Sequence, residues 1–287
     1  MVRTALSALL GLIAVLLLLG GVTATAVQRT VVDQDGFVDL TSPLASDAGL
    51  RDRLATTLAT EATKRVALPD ALRDAAAGVI ERGAVALSED PGFPAAWQES
   101  MRRSHDASLA TLTDPARTDA LQADIQPLVT LLADKALGSL GATGVDAPLG
   151  DDPVVLAVGQ PAQARFAGAV VQASGYGPAA LTGAAVAGVL ALLLAHRRST
   201  ALTWLGVGVL TGTGLLALAS VLVRAEVAGD ANAPGLTDYL RYRLVEVGVG
   251  AAVPWLVGLA IWGAVLLAAG IVGRLIVGRA ATGSAQR

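Results

Sequence analysis

Four long uncharged runs alternate with polar chain in this sequence: residues 4–28, 166–195, 201–223 and 247–273. A helix that crosses a bilayer needs about 20 apolar residues, and each run is long enough. The first is centred on the unbroken aliphatic segment from Leu9 to Leu19, apart from Gly11 and Ala14. In the second, Gly177-Pro178 marks a helix start, because proline suits a first helical turn. Four membrane helices are predicted.

The polar stretch 29–165 carries helical periodicity. Ser46-Asp47 offer an N-cap, followed by Leu50, Leu54, Leu58 and Ala62 at four-residue intervals. Pro69 opens a second expected helix with Leu72, Ala76, Val79, Ile80 and Leu87 on one face. The chain then breaks at Glu89-Asp90-Pro91-Gly92. A third helix begins at Pro94, with Trp97, Met101, His105, Leu109 and Leu112 in a stripe. A fourth runs from Pro127 through Leu131 and Leu132 to Leu140. Residues 120–125 alternate and 154–158 form a β-branched run, so the two are expected to pair as a small sheet. A helix from Gln160 is expected to feed into the second span, and 236–247 reads as a short amphipathic helix leading into the fourth.

The fold class is therefore mainly α membrane protein, with four transmembrane helices and a mostly helical extracytoplasmic domain holding a small two-stranded sheet. The domains are transmembrane helix 1 at 4–28, the extracytoplasmic domain at 29–165, a three-helix transmembrane region at 166–273 with an outer loop at 224–246, and a cytoplasmic tail at 274–287.

Charge turns this layout into a topology. The net charge of -3 is small, but it is unevenly placed. Residues 27–176 hold 20 acids against 12 bases, a net -8, and 224–246 hold four acids against three bases. The short remaining segments contain Arg3, Arg197, Arg198, Arg274, Arg279 and Arg287 and no acid. Arginine in short loops stays on the cytoplasmic side. The expectation is a multi-pass cell-membrane protein with both termini cytoplasmic and the large domain outside. Ala24-Thr25-Ala26 fits a signal-peptidase site; cleavage there would leave three spans, and an uncleaved anchor is preferred because the apolar run is long.

Composition narrows the chemistry. The chain is 53% hydrophobic and 16% charged with a mean hydropathy of +0.59, unlike a soluble domain, in which about a quarter of residues are charged. It has no cysteine and only two histidines, His105 and His196, which excludes thiol catalysis, disulfides, iron–sulfur clusters and multi-histidine metal sites. No cofactor is expected. The cytoplasmic pieces are too short to house catalysis or nucleotide binding, and nucleic-acid binding has no support.

Several motifs remain. Trp97, Met101 and His105 share a helix face, as a ligand or partner-binding pocket, a catalytic histidine near Glu99 or Asp106, or a core stripe. Asp33, Asp35 and Asp39 around Gly36 resemble a calcium loop, but Val31 and Ser42 fall where its first and twelfth ligands belong; helix capping is the alternative. Gly208 and Gly212 form a GxxxG in the third span, for packing within the bundle or for dimerisation. Trp204, Tyr239, Tyr242 and Trp255 lie where interfacial anchors belong. The spans contain no Asp, Glu, Lys, Arg or His, which disfavours ion-coupled transport.

Phe37-Val38-Asp39 with Pro43-Leu44, Phe93 with Ala96-Trp97 and His105, Asp124-Ile125 with Pro127-Leu128-Val129, and the Arg197-Arg198 turn together give a pattern spread over 31–225. In these residues the chain resembles a family of uncharacterised integral membrane proteins of actinobacteria, with an N-terminal anchor, an extracytoplasmic helical domain and a C-terminal membrane bundle. The resemblance implies an envelope location and no activity. The expected function is non-enzymatic: the membrane helices sit in the lipid bilayer and the outer domain binds an envelope protein or cell-wall component. The alternatives are an envelope hydrolase using carboxylates of the outer domain and, less favoured, a transport component.

Overall fold

The structure, a computed structural model, describes residues 2–65, 82–83, 86–87, 90–113, 121–139, 154–158 and 161–284. The chain is a mainly α membrane protein. Among the described residues, four helices are long and apolar enough to cross a membrane. The chain divides into two compact units: a membrane unit of residues 1–29, 170–223 and 249–287, and a polar unit of 30–169 and 224–248. The outer loop expected at 224–246 thus belongs to the polar unit.

Helix α1, Val2–Val27, ends in a π-helical turn, Gln28–Val32. Asp33 then caps α2, Gln34–Thr41, by accepting from the Gly36 N–H at 2.9 Å. A 3-10 turn, Ser42–Ser46, leads to Asp47, whose Oδ1 accepts from the Leu50 N–H at 2.7 Å as α3, Ala48–Arg65, begins. The helix expected over 69–87 lies outside the described residues except for Arg82, Gly83, Ala86 and Leu87. Leu87 is buried.

Helix α4, Phe93–Thr113, starts with Pro94 in its first turn, where a missing N–H leaves no gap in the ladder. Strand β1, Leu121–Asp124, precedes α5, Gln126–Ser139, and β2, Val155–Val158, follows. The expected pairing is present, and it is antiparallel, with Leu121 opposite Val158 and Asp124 opposite Val155. Two α4 serines fasten the sheet. Ser104 Oγ accepts from the Asp124 N–H at 2.8 Å, and Ser108 Oγ donates to the Gln122 carbonyl at 3.1 Å.

Helix α6, Pro161–Ser174, leads into the second span as expected, and the span begins as its own helix at the expected Gly177-Pro178 start. A turn at Gly175-Tyr176 separates α6 from α7, Gly177–Leu194. Pro178, in the first turn of α7, has no N–H to donate and its ring disfavours a helix running through it, while Gly177 leaves room for Thr25 of α1: a Cβ there would lie 2.7 Å from its hydroxyl oxygen and 3.1 Å from its backbone nitrogen. Helix α8 spans Arg198–Val227, and a 3-10 turn, Ala228–Asn232, leads to α9, Leu236–Ser284. The segment expected as a separate amphipathic helix at 236–247 is the first part of α9, a single 49-residue helix, and the helix continues into the expected tail at 274–287.

The polar unit's core joins distant stretches of chain. Leu44, Leu50, Leu54, Leu58, Phe93, Trp97, Leu128, Val129 and Leu132 are buried together with Leu236 and Leu240 from the start of α9. Burying one such leucine is worth about 1.5–3 kcal/mol, which explains why 224–248 packs with 30–169.

Candidate functional site

The face of α4 singled out by spacing is buried. Trp97, Met101 and His105 are 3%, 5% and 6% exposed. The Trp97 indole donates to the Thr41 carbonyl at 3.1 Å, closing α2 over α4. His105 Nε2 lies 3.0 Å from the Val31 carbonyl, so this nitrogen carries the proton. Its Nδ1 is 3.6 Å from Asp106 Oδ1, beyond hydrogen-bond reach, and the ring packs against Phe37 with centroids 5.3 Å apart. The stripe ties the strand of chain around Val31–Thr41 to α4. The acids beside it stay apart: Asp106 is mostly exposed and accepts from Gln34 at 2.8 Å, while Glu99 pairs with Arg103 at 2.9 Å and Arg102 at 3.7 Å.

Asp33, Asp35 and Asp39 take different tasks around α2. Asp33 caps the helix, and Asp35 sits in its first turn, where a negative charge favours the N-terminal dipole. The backbone carbonyl of Asp39 accepts from the Ser42 hydroxyl at 3.0 Å. Among the described residues, no three His, Asp or Glu side chains gather as a metal site requires.

A cluster that spacing did not reveal holds the polar unit together. Asp47 Oδ1 accepts from the Tyr239 hydroxyl at 3.0 Å, and its Oδ2 lies 2.9 Å from Arg243. Arg243 also pairs with Glu246. The Arg53 guanidinium stacks 4.1 Å from the Tyr239 ring centroid and donates to the Ala233 carbonyl at 2.8 Å. Tyr239 is therefore an internal tie, packed against the core, rather than an interfacial anchor. Two further pairs clamp turns: Asp230 with Arg241, and Asp90 with Lys135 at 2.6 Å. The Lys135 ammonium, followed by the Gly92 N–H, holds the Asp90 carboxyl below its ordinary value.

The membrane unit is assembled through glycine. Gly208 and Gly212 of α8 face α1: a Cβ on Gly208 would lie 3.1 Å from Val15, and one on Gly212 would overlap Leu19. The GxxxG thus packs within the chain's own bundle. A second glycine face joins α8 to α9. A Cβ on Gly206 would lie 2.5 Å from the Leu267 nitrogen, and one on Gly270 would collide with Thr203. Between α1 and α7, the Ser7 hydroxyl donates to the Ala191 carbonyl at 2.8 Å. This is the packing expected where lipid supplies no hydrophobic drive and close backbone approach must hold helices together.

A groove of about 820 Å³ runs along α1 and α8, with Leu12 and Leu19 on one wall and Trp204 and Leu215 on the other. His196 and Arg197, in the turn before α8, line one end. Comparison with family models, curated proteins and solved structures finds no match to this chain.

Proposed function

We propose that this is a non-enzymatic, multi-pass protein of the cell envelope, whose polar unit lies on the extracytoplasmic side and docks an envelope protein or a cell-wall component. The resemblance of its sequence to an actinobacterial membrane family supports the location, as does the arginine bias of the short segments. One observation carries the functional reading. The described carboxylates Asp47, Asp90, Glu99 and Asp230 engage arginine, lysine or tyrosine partners that fix turns and helices. Each of these four is thereby tied to a structural partner, whereas a two-carboxylate hydrolase needs a pair facing its substrate. A pre-formed body entered and left by the chain at four points suits docking, because association costs less when the binding surface is already ordered.

The test is isolation of the full chain from native membranes in mild detergent, with mass spectrometry of what accompanies it. The reading expects one partner at constant stoichiometry, recovered also when the partner is the bait, or retention of the polar unit on purified cell wall. Repeated isolation of the chain alone, with no cell-wall retention, would overturn it.

A further inference from the structure

The groove along α1 and α8 has the length, lining and charge of a site for a single lipid. It extends from Thr4 to Leu19 on α1 and from Thr200 to Leu215 on α8. Fifteen residues of helix rise about 22 Å. One leaflet with its headgroups is about 20–22 Å deep, half of a bilayer of about 40–45 Å. The volume of about 820 Å³ lies within the span of about 300–1,000 Å³ usual for ligand sites. Leu12, Leu16, Leu19, Val207 and Leu215 present aliphatic surface along its depth.

The two ends differ. At the shallow end stand Thr4, Thr200, His196 and Arg197, with Arg198 next in sequence. The whole membrane unit contains seven arginines and no aspartate or glutamate. No Asp or Glu side chain of its own unit can therefore neutralise Arg197. A second copy of this chain would bring the same unopposed arginines to the same end, which argues against a symmetric pair seated here. An acyl chain beneath an anionic headgroup satisfies both halves of the groove at once.

We propose that this groove holds one phospholipid with an anionic headgroup, its acyl chain lying between α1 and α8 and its phosphate meeting Arg197 beside His196. The site is independent of whatever the polar unit docks. Arg197 supplies charge to the phosphate, and Trp204, exposed on the groove wall, flanks the upper acyl chain. Cationic pockets at the ends of membrane helices recognise anionic lipid in this way, each basic residue near the surface favouring it about five-fold.

The full chain carrying Trp255→Phe and Trp262→Phe keeps Trp204 as its lipid-facing indole, with the buried Trp97 as a constant background. It is reconstituted into vesicles of phosphatidylcholine mixed with brominated phosphatidylglycerol, or the reverse, and Trp204 quenching is followed as the brominated fraction rises. The expected result is half-quenching at an about five-fold lower fraction of brominated phosphatidylglycerol than of brominated phosphatidylcholine. Arg197→Gln, at an exposed turn, should bring the two curves together. Thr211→Phe, which places a ring in the groove from an exposed position, should do the same with both arginines intact. Identical curves for the two headgroups in the parent protein would overturn the proposal. So would a preference that survives Thr211→Phe, since it would then lie outside the groove, or a Trp204 that neither lipid quenches, since protein would then cover it.

Discussion

The hydroxyl of Tyr239 donates to Asp47 at 3.0 Å, joining two residues 192 positions apart through a carboxylate that also caps α3 and faces Arg243. The start of α9 is thereby fixed to the start of α3. Tyr239→Phe should remove one hydrogen bond and lower the stability of the polar unit by about 1 kcal/mol. Asp47→Ala loses the cap as well and leaves Arg243 without this partner, for about 2–3 kcal/mol. Hydrogen exchange of the amides in 224–248 measures both; the larger loss belongs to Asp47→Ala.

Core membership of α9 has a separate consequence. Leu240 is buried with Leu128 although 112 residues separate them. Each leucine-to-alanine change should destabilise the polar unit by about 2–5 kcal/mol. Equal sensitivity at the two positions, read by denaturant or thermal melting in detergent, marks one shared core; a silent Leu240→Ala would mean that 236–247 contributes nothing to it.

Much of this arrangement is legible in the sequence, and the reasons are local. Uncharged runs of bilayer length identify the spans, because no burial other than lipid or a core tolerates them. Asp33 and Asp47 precede helices where side-chain oxygens meet free N–H groups, and the alternation at 121–124 predicts the paired strand. The Trp97, Met101 and His105 stripe is equally visible, but spacing alone does not say whether such a face is buried core or open pocket. The Asp47, Tyr239 and Arg243 cluster leaves no local signal at all, since its members meet only through the fold. Tyr239 reads as a membrane anchor for the same reason. The start of α7 is legible at Gly177-Pro178, but the close approach of Thr25 that requires the glycine is not.

Glycine packing in the membrane unit makes a paired prediction. Gly206→Leu would drive a side chain into the backbone of α9 near Leu267, and the bundle should lose its compact, melt-resistant state in detergent. Gly214→Ala meets nothing within 4 Å and should leave the melting temperature unchanged or slightly raised. Equal effects at the two positions would contradict the close crossing of α8 and α9.

Asp90 gives a pH dependence. Its carboxyl is held below the ordinary value of 3.8 by Lys135 and by the Gly92 N–H. A depressed folded-state pKa contributes stability above the unfolded value, and the contribution fades as pH falls through the folded one. The wild type should therefore be more stable than Asp90→Asn at neutral pH, with the gap closing below about pH 4. Melting of both proteins between pH 7 and pH 2.5 checks this; a gap that widens on acidification would reverse the sign.

The proposed topology, with the polar unit on the extracytoplasmic side and the Arg197-Arg198 turn facing the cytoplasm, can be tested directly. The natural chain has no cysteine, so single replacements report without background. Ser46→Cys and Asn232→Cys stand at exposed positions of the polar unit, and His196→Cys at the exposed turn. Intact cells treated with a membrane-impermeant maleimide should label Ser46→Cys and Asn232→Cys fully, and His196→Cys only after permeabilisation. Labelling of His196→Cys in intact cells, with the other two protected, would contradict the account.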